Sequence, residues 1–378
     1  MTELREAMST IDRSPQAWAR EFTSDDVWRH EQDRMGHRAW TLLGLTRDVS
    51  GDGDWITATL AGKSVFVQRA GSRLGGFENV CAHRFYPLRI GKRGNGPIRC
   101  GFHGWLYNAD GTAVGIPICE EMFGRSRREI DRRLDKIDVE TCGGLIFGRL
   151  SGPGTDRSDL SAYLGDMAPA LAALTDGTAE CLAEIDQTTA ANWKLCYQIT
   201  LDDYHLPTVH PDSFGNAGYL KPNTYRYFAS GRHSAMFTGL FVPKAEFARW
   251  IDACRNGVLD DKFYRIVQIF PNLVVALFPY EGNWFVCVSR YLARSATETQ
   301  VRSWILAAPI ADTVAGKPQV RVGALDYIGR ILREDSAVAE HLQSIAVQIS
   351  KPPLLSRQEQ RVAWFDQAYA AFMADPGE

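Results

Sequence analysis

Histidine is scarce in this chain, with only eight among 378 residues. Any place where histidines gather therefore carries information. Long apolar runs are missing too. The longest, such as Asn272 to Phe278, have the length of a strand, and none approaches the ~20 apolar residues a membrane helix needs. The opening residues, Met1-Thr2-Glu3-Leu4-Arg5-Glu6-Ala7, are charged and lack the apolar centre of a signal peptide. We therefore expect a soluble, cytoplasmic protein with no membrane partner. Lys/Arg runs are absent, net charge is −3 and the pI is about 6.3, so nucleic acid and anionic surfaces are not expected partners. No Gly-rich dinucleotide fingerprint appears, so the chain should not bind a nicotinamide itself. There is no internal repeat and no low-complexity tract. The length allows one very large domain or two to three ordinary ones, and 45% hydrophobic residues suit a well-cored globular chain.

Cysteine is scattered, at positions 81, 100, 119, 142, 181, 196, 254 and 287. No spacing suggests a disulfide frame, and the six outside the motif described next read as reduced, packed thiols. The exceptions are Cys81-Ala82-His83 and Cys100-Gly101-Phe102-His103, with sixteen residues between them. Each short segment offers one thiolate and one imidazole. A Rieske [2Fe–2S] cluster needs that mixture, two cysteines on one iron and two histidines on the other. Gly101 and Gly104 let the second loop curl close to a cluster and aim N–H groups at it. A structural Cys2His2 zinc site would use the same ligand types. Zinc sites more often space the histidines by three to five residues, so the cluster is the preferred reading.

Residues 1–50 read as an N-terminal arm with one helix, for which Ser24 can cap Asp25-Asp26-Val27-Trp28. Residues 54–60 and 64–69, separated by Ala61-Gly62-Lys63, read as a hairpin. Short strands and turns, including Asn108-Ala109-Asp110-Gly111, continue to about residue 150. After Ser151 the character changes. Ser158 can cap a helix to about residue 174. Strand-like runs recur at 235–242, 263–270, 272–279, 283–291 and 300–308. A long helix is expected over 324–348. Ser356-Arg357-Gln358-Glu359 is a capping box opening a last helix with Val362, Phe365 and Tyr369 on it. The second region is thus α+β, an antiparallel sheet with helices.

Ahead of those strands lies Asn192-Trp193-Lys194, leading to Asp202-Asp203-Tyr204-His205 and His210-Pro211. This segment reads as helical at first. His205 and His210 are five apart, about 140° around a regular helix, which is poor for one metal. Pro207 is expected to interrupt the helix and let His210 swing back. Asp202, three residues before His205, is expected on the same helical face, orienting its imidazole. Two histidines and a carboxylate form a facial triad for non-haem Fe(II), with positions left open for O2. Asp335 is the chosen carboxylate; Asp326, Glu334 and Glu340 on the same helix are its rivals. Tyr197, Ile199, Phe237, Phe241 and Phe270 could line a pocket for an aromatic ring, although core packing is the better reading of any one of them.

These residues together resemble the α (oxygenase) subunit of Rieske non-haem iron ring-hydroxylating oxygenases over nearly the whole chain. The resemblance implies an α+β architecture: an N-terminal arm over 1–36 packing with the catalytic domain, an all-β Rieske domain over 37–152, and a helix-grip catalytic domain over 153–378. It implies that Cys81, His83, Cys100 and His103 hold the cluster. His205, His210 and Asp335 would hold one mononuclear Fe(II), and Asp202 would bridge the two kinds of centre. In that family the bridging carboxylate joins neighbouring copies in a head-to-tail ring, so His83 or His103 of one copy would meet Asp202 of the next. A homotrimer is expected rather than an assembly with a β subunit. The implied activity is that of a terminal oxygenase, a dioxygenase or monooxygenase. It takes electrons from a separate NAD(P)H-dependent reductase, directly or through a ferredoxin, and uses O2 to hydroxylate an organic, aromatic substrate. A pure Rieske electron carrier and a zinc-stapled ligand-binding module are the alternatives. The family usually has Gly after the His-Arg of the first motif, where this chain has Phe85. It often shows Glu-Asn after Asn-Trp-Lys, where this chain has Gln198-Ile199.

Overall fold

A computed structural model describes residues 15–152, 154–156, 158–175, 180–213, 225–238, 264–281, 283–308, 318–349 and 353–374. They divide into two compact units, one of residues 32–163 and one joining the residues up to Glu31 to those from Leu164 onward.

The first unit is built from short antiparallel strands: β1 (Thr41–Leu45), β2 (Asp54–Leu60), β3 (Lys63–Ala70), β4 (Arg73–Glu78), β5 (Arg93–Asn95), β6 (Ile98–Arg99), β7 (Leu106–Tyr107), β8 (Ala113–Gly115), β9 (Lys136–Cys142) and β10 (Leu145–Leu150). One sheet runs β1-β10-β9-β4-β3-β2-β5, and a smaller one runs β6-β7-β8. The expected hairpin is β2–β3, closing at Leu60 opposite Lys63. Ala61 and Gly62 both take positive φ, +49° and +74°, as a tight hairpin turn matched to strand twist demands. Side chains alternate along β3 and feed two cores. Val65 and Val67 join Leu43, Ile56, Ile137 and Ile146 on one side. Phe66 joins Phe77, Leu88, Ile98, Trp105 and Tyr107 on the other, and Cys81 and Cys100 belong to that second core. The Asn108 turn forms as expected: Asn108 Oδ1 accepts from Asp110 N and Thr112 N.

The second unit carries β11 (Cys181–Thr189), β12 (Tyr225–Ser230), β13 (His233–Thr238), β14 (Arg265–Ile269), β15 (Leu273–Tyr280), β16 (Asn283–Ser295) and β17 (Glu298–Ala307). Its antiparallel sheet is ordered β11-β17-β16-β15-β14-β13-β12. The long helix spans Pro318–Ile345. Ser336, Glu340 and Gln343 share one face of it at i, i+4 and i+7. They receive Gln187, Ala190 N and Asn192 N in turn. The helix therefore clasps the end of β11 and the start of the helix Trp193–Ile199, whose N-cap Asn192 accepts from Lys194 N at 3.0 Å. The capping box at Ser356 forms and leads into Gln360–Met373, with Val362, Phe365 and Tyr369 buried.

Several expectations are corrected. The N-terminal region holds two helices, Pro15–Thr23 and Asp25–Arg38. The helix expected over 158–174 is two pieces, Leu160–Leu164 and Ala168–Thr175, joined through a 3-10 turn at Gly165, whose φ is +51°. β11 and β12 were not foreseen. The run 235–242 begins earlier, at His233, and its end lies outside the described residues. Among the described residues, no helix is long and apolar enough to cross a membrane.

Candidate metal centres

The two Cys-His segments fold into twin loops. In the first, Cys81 N donates to Tyr86 O and Phe85 N donates to Cys81 O, at 2.9 and 3.0 Å. In the second, Cys100 N donates to Trp105 O and Gly104 N to Cys100 O, at 2.8 and 3.0 Å. The fourth residue after each cysteine takes positive φ, +59° at Phe85 and +72° at Gly104. Both loops need a left-handed residue there. One uses glycine, and the other holds phenylalanine in glycine's conformation with its ring 81% exposed.

The loops keep the thiols in and the imidazoles out. Cys81 and Cys100 are buried, His83 is half-buried and His103 is exposed. The two imidazole centroids lie 4.7 Å apart, and Trp105 stacks on His83 at 4.9 Å. Burial, then the neighbouring His103 and Arg84, lowers the proton affinity of His83 and favours the neutral, metal-binding form. Burial pushes the Cys81 thiol up, partly offset by Tyr107, whose hydroxyl lies 3.1 Å from its sulfur. A metal would have to draw those protons off. Two buried sulfurs beside two imidazoles nearer the surface fit a [2Fe–2S] group of the Rieske kind.

In the second unit His205, His210 and Asp335 come together, each offering an atom within 4.8 Å of the others. The Nε2 atoms of the two imidazoles are 3.2 Å apart. Asp335 Oδ1 lies 3.0 Å from that of His210 and 3.5 Å from that of His205. Ligand atoms about 2.1 Å from one ion, at right angles to each other, are spaced about 3.0 Å. Asp335 Oδ1 is buried yet makes no well-formed hydrogen bond, an unusual state for a carboxylate oxygen and one that a cation would relieve. Burial opposes charge on His205, but Asp202 and Asp335 more than offset it and hold its imidazole up to about 10. Burial likewise raises the Asp335 carboxyl, and the two histidines reverse this, leaving it below the usual range. The site attracts positive charge, and its donor set fits a divalent metal.

The local backbone differs from expectation. The helix ends at Ile199, so Asp202 and His205 share no helical face. They meet across a bend, with Asp202 Oδ2 3.4 Å from His205 Nδ1. Pro207 does not interrupt a helix; it sits in the first turn of a new one, Leu206–Val209, where its missing N–H costs nothing. The rivals of Asp335 have other partners. Glu334 Oε2 accepts from His210 Nδ1 at 2.7 Å, Glu340 binds Ala190 N, and Asp326 pairs with Arg330 at 3.6 Å.

A cavity of about 80 Å³ adjoins this group. Ile199, Leu206, Ile266, Val274, Ile328 and Leu332 give it apolar walls, and Thr200, Ser289, Tyr264 and Tyr291 add hydroxyl-bearing side chains. Of the pocket residues suggested by sequence, Ile199 lines it. Tyr197, Phe237 and Phe270 are buried core, and Phe241 lies outside the described residues. Sequence reasoning missed Asp203, which is buried and paired with the buried Arg361 at 2.6 Å. It also missed Tyr107, for which no local signal exists.

Comparison with known proteins places the chain in a family. The family described as "Ring hydroxylating alpha subunit (catalytic domain)" matches residues 174–375, and "Rieske [2Fe-2S] domain" matches residues 39–130. The N,N-dimethyl phenylurea N-demethylase subunit alpha of Sphingobium sp. (strain YBL2) is 29% identical over 226 residues, 58% of this chain and 47% of that protein. The chlorobenzene dioxygenase subunit alpha of Cupriavidus sp. (strain PS12) is 30% identical over 256 residues, 62% of this chain and 56% of that one. The matched segments thus span about half the length of these curated relatives. The solved structure of naphthalene 1,2-dioxygenase from Rhodococcus sp. bound to indole superposes with a TM-score of 0.77 at 18% identity, covering 99% of this chain and 98% of that one. It shares the fold.

Proposed function

The chain belongs to the ring-hydroxylating α-subunit family, and from that premise we propose that it is a terminal oxygenase, an oxidoreductase that uses O2 to hydroxylate an organic, aromatic substrate. The observation that carries this reading is the meeting of His205, His210 and Asp335 on the wall of an apolar cavity. In this reading Cys81, His83, Cys100 and His103 hold a [2Fe–2S] cluster, and the His205 group holds a mononuclear Fe(II). Bound there, ferrous iron would supply the dioxygen chemistry that side chains lack.

The remaining work falls to the chain itself. Ile199, Leu206, Ile328 and Leu332 exclude water from the reacting atoms and give a flat apolar substrate its contact area. Tyr264 and Tyr291, kept protonated by burial, present ring faces and edges. Asp202 orients His205, and in a head-to-tail homotrimer its carboxylate would face His83 or His103 of a neighbouring copy. Electrons come from an NAD(P)H-dependent reductase, directly or through a ferredoxin. One or two oxygen atoms enter the substrate, and both an N-demethylase subunit and a chlorobenzene dioxygenase subunit stand among the relatives.

Anaerobic purification with iron and sulfide counts and reduced-state EPR tests this reading. We expect a Rieske signal with about three irons and two sulfides per chain. O2 uptake should then follow addition of a surrogate reductase and a panel of aromatic substrates. About two irons, with no binding of added Fe(II), would favour an electron carrier. A colourless zinc protein would overturn the assignment.

A further inference from the structure

The two candidate ligand histidines are not held alike. His205 Nδ1 has the Asp202 carboxylate at 3.4 Å, and makes no well-formed hydrogen bond. The other oxygen of Asp202 is occupied at 2.6 Å by Tyr204 N. His210 is nearly sealed from solvent, and its Nδ1 meets Glu334 Oε2 at 2.7 Å. Glu334 and Asp335 are consecutive on the long helix and point about 100° apart. Their carboxylates therefore reach opposite nitrogens of one imidazole, Glu334 at Nδ1 and Asp335 at Nε2.

We propose that Glu334 is the positioning residue of the mononuclear site, fixing the ring and tautomer of His210 so that Nε2 is the lone-pair nitrogen facing His205 and Asp335. This rests on the metal-site reading above. A carboxylate on the far nitrogen of a ligand histidine fixes its tautomer and raises its basicity, and losing one costs about ten- to a hundredfold in metal affinity. The short contact at His210 and the loose one at His205 divide the labour. Glu334 governs how tightly metal is held, while Asp202 holds His205 only loosely. The glutamate adds a second constraint: because it leaves the same helix as Asp335, a shift of that helix moves ligand and orienting group together.

The test uses the full chain with its cluster intact and the mononuclear site emptied by mild chelation. Anaerobic Co(II) is titrated in and followed by calorimetry and visible absorption. Glu334→Gln and Glu334→Asp should each weaken Co(II) binding about ten- to a hundredfold. The first removes the charge, and the second keeps it but withdraws it by one methylene. Asp202→Asn should weaken binding less than either. In the Co(II)-loaded wild type, proton NMR should show a slowly exchanging, hyperfine-shifted His210 Nδ1–H that exchanges faster in Glu334→Asp. Either Glu334 variant binding Co(II) as tightly as the wild type would overturn the proposal. If the wild type itself binds no Co(II), the metal-site reading fails instead. Far-ultraviolet circular dichroism and the calorimetric unfolding transition of the unit that holds Glu334 report whether each variant is folded.

Discussion

Phe85 shows how much one residue can say. The left-handed region costs a non-glycine residue roughly 1–2 kcal/mol, and Phe85 holds φ +59° with a ring that is 81% exposed. The ring's burial therefore offsets little of that strain. Phe85→Gly should stabilise the cluster-bearing unit by about 1 kcal/mol, reduced from the full strain by glycine's greater freedom when unfolded. Thermal bleaching of the cluster should move up by about 4 °C; an unchanged or lower midpoint would mean that the ring is stabilised by contacts. A second prediction belongs to Asp202. Its carboxylate sits at ion-pair distance from His205. Asp202→Asn should keep the fold and the iron while lowering turnover about ten- to a hundredfold. Full-rate turnover with the normal reductant would remove Asp202 from the mechanism.

Among elements, the helix Trp193–Ile199 is held by charge as well as by packing. Lys194 and Glu31 are both fully buried and ion-paired. Trp193 Nε1 donates to the other oxygen of Glu31 at 2.9 Å, and Tyr369 Oη donates to Glu31 at 2.5 Å. One carboxylate thus joins the helix Asp25–Arg38, the start of the metal-bearing segment and the C-terminal helix. Glu31→Ala strands a buried ammonium and should cost about 3–5 kcal/mol, read as a lower urea midpoint with an unchanged slope. A loss below about 1 kcal/mol would show that water reaches Lys194 once the partner is gone. Local signals announced some elements and not others. The β2–β3 hairpin and the Ser356 capping box carry their turn and cap chemistry in adjacent residues. β11 is an edge strand whose outward positions are Glu184, Asp186 and similar residues. Its place is fixed by backbone pairing to β17, which no side-chain pattern displays. The end of the helix at Ile199 is likewise set from afar. Gln268 on β14 donates to Thr200 O at 2.5 Å, and Arg361 on the last helix draws in Asp203. Those partners bend the chain where local propensity would have continued the helix, so the shared helical face expected for Asp202 and His205 does not exist.

At the scale of the whole molecule, each centre is assembled inside one unit. Cys81, His83, Cys100 and His103 lie within residues 32–163, and His205, His210 and Asp335 lie in the other unit. The proposed cluster ligands are legible because they sit on two local loops with twin backbone bonding. The carboxylate of the second site, Asp335, could be read from sequence only as a choice among rivals, because it lies more than a hundred residues from its histidines. Asp326, Glu334 and Glu340 share its helix, and only the packing of that helix against the sheet selects Asp335. This separation makes a prediction about metal removal. A chelator should take the metal proposed for the His205 group, whose residues line a cavity, before it disturbs a cluster proposed for Cys81 and Cys100, which are buried in a core. About one iron in three should leave, with the visible spectrum unchanged and turnover abolished until Fe(II) is restored. Because a ligand that binds only the folded state stabilises it, refilling the site at a hundred times its Kd should return about 2.7 kcal/mol to the unit that holds it. Calorimetry should then show an unfolding transition that moves with free Fe(II), while the temperature of cluster bleaching stays fixed. Bleaching that tracks the loss of the first iron would mean that the two centres stand or fall together, and that the division into separately built units does not extend to their stability.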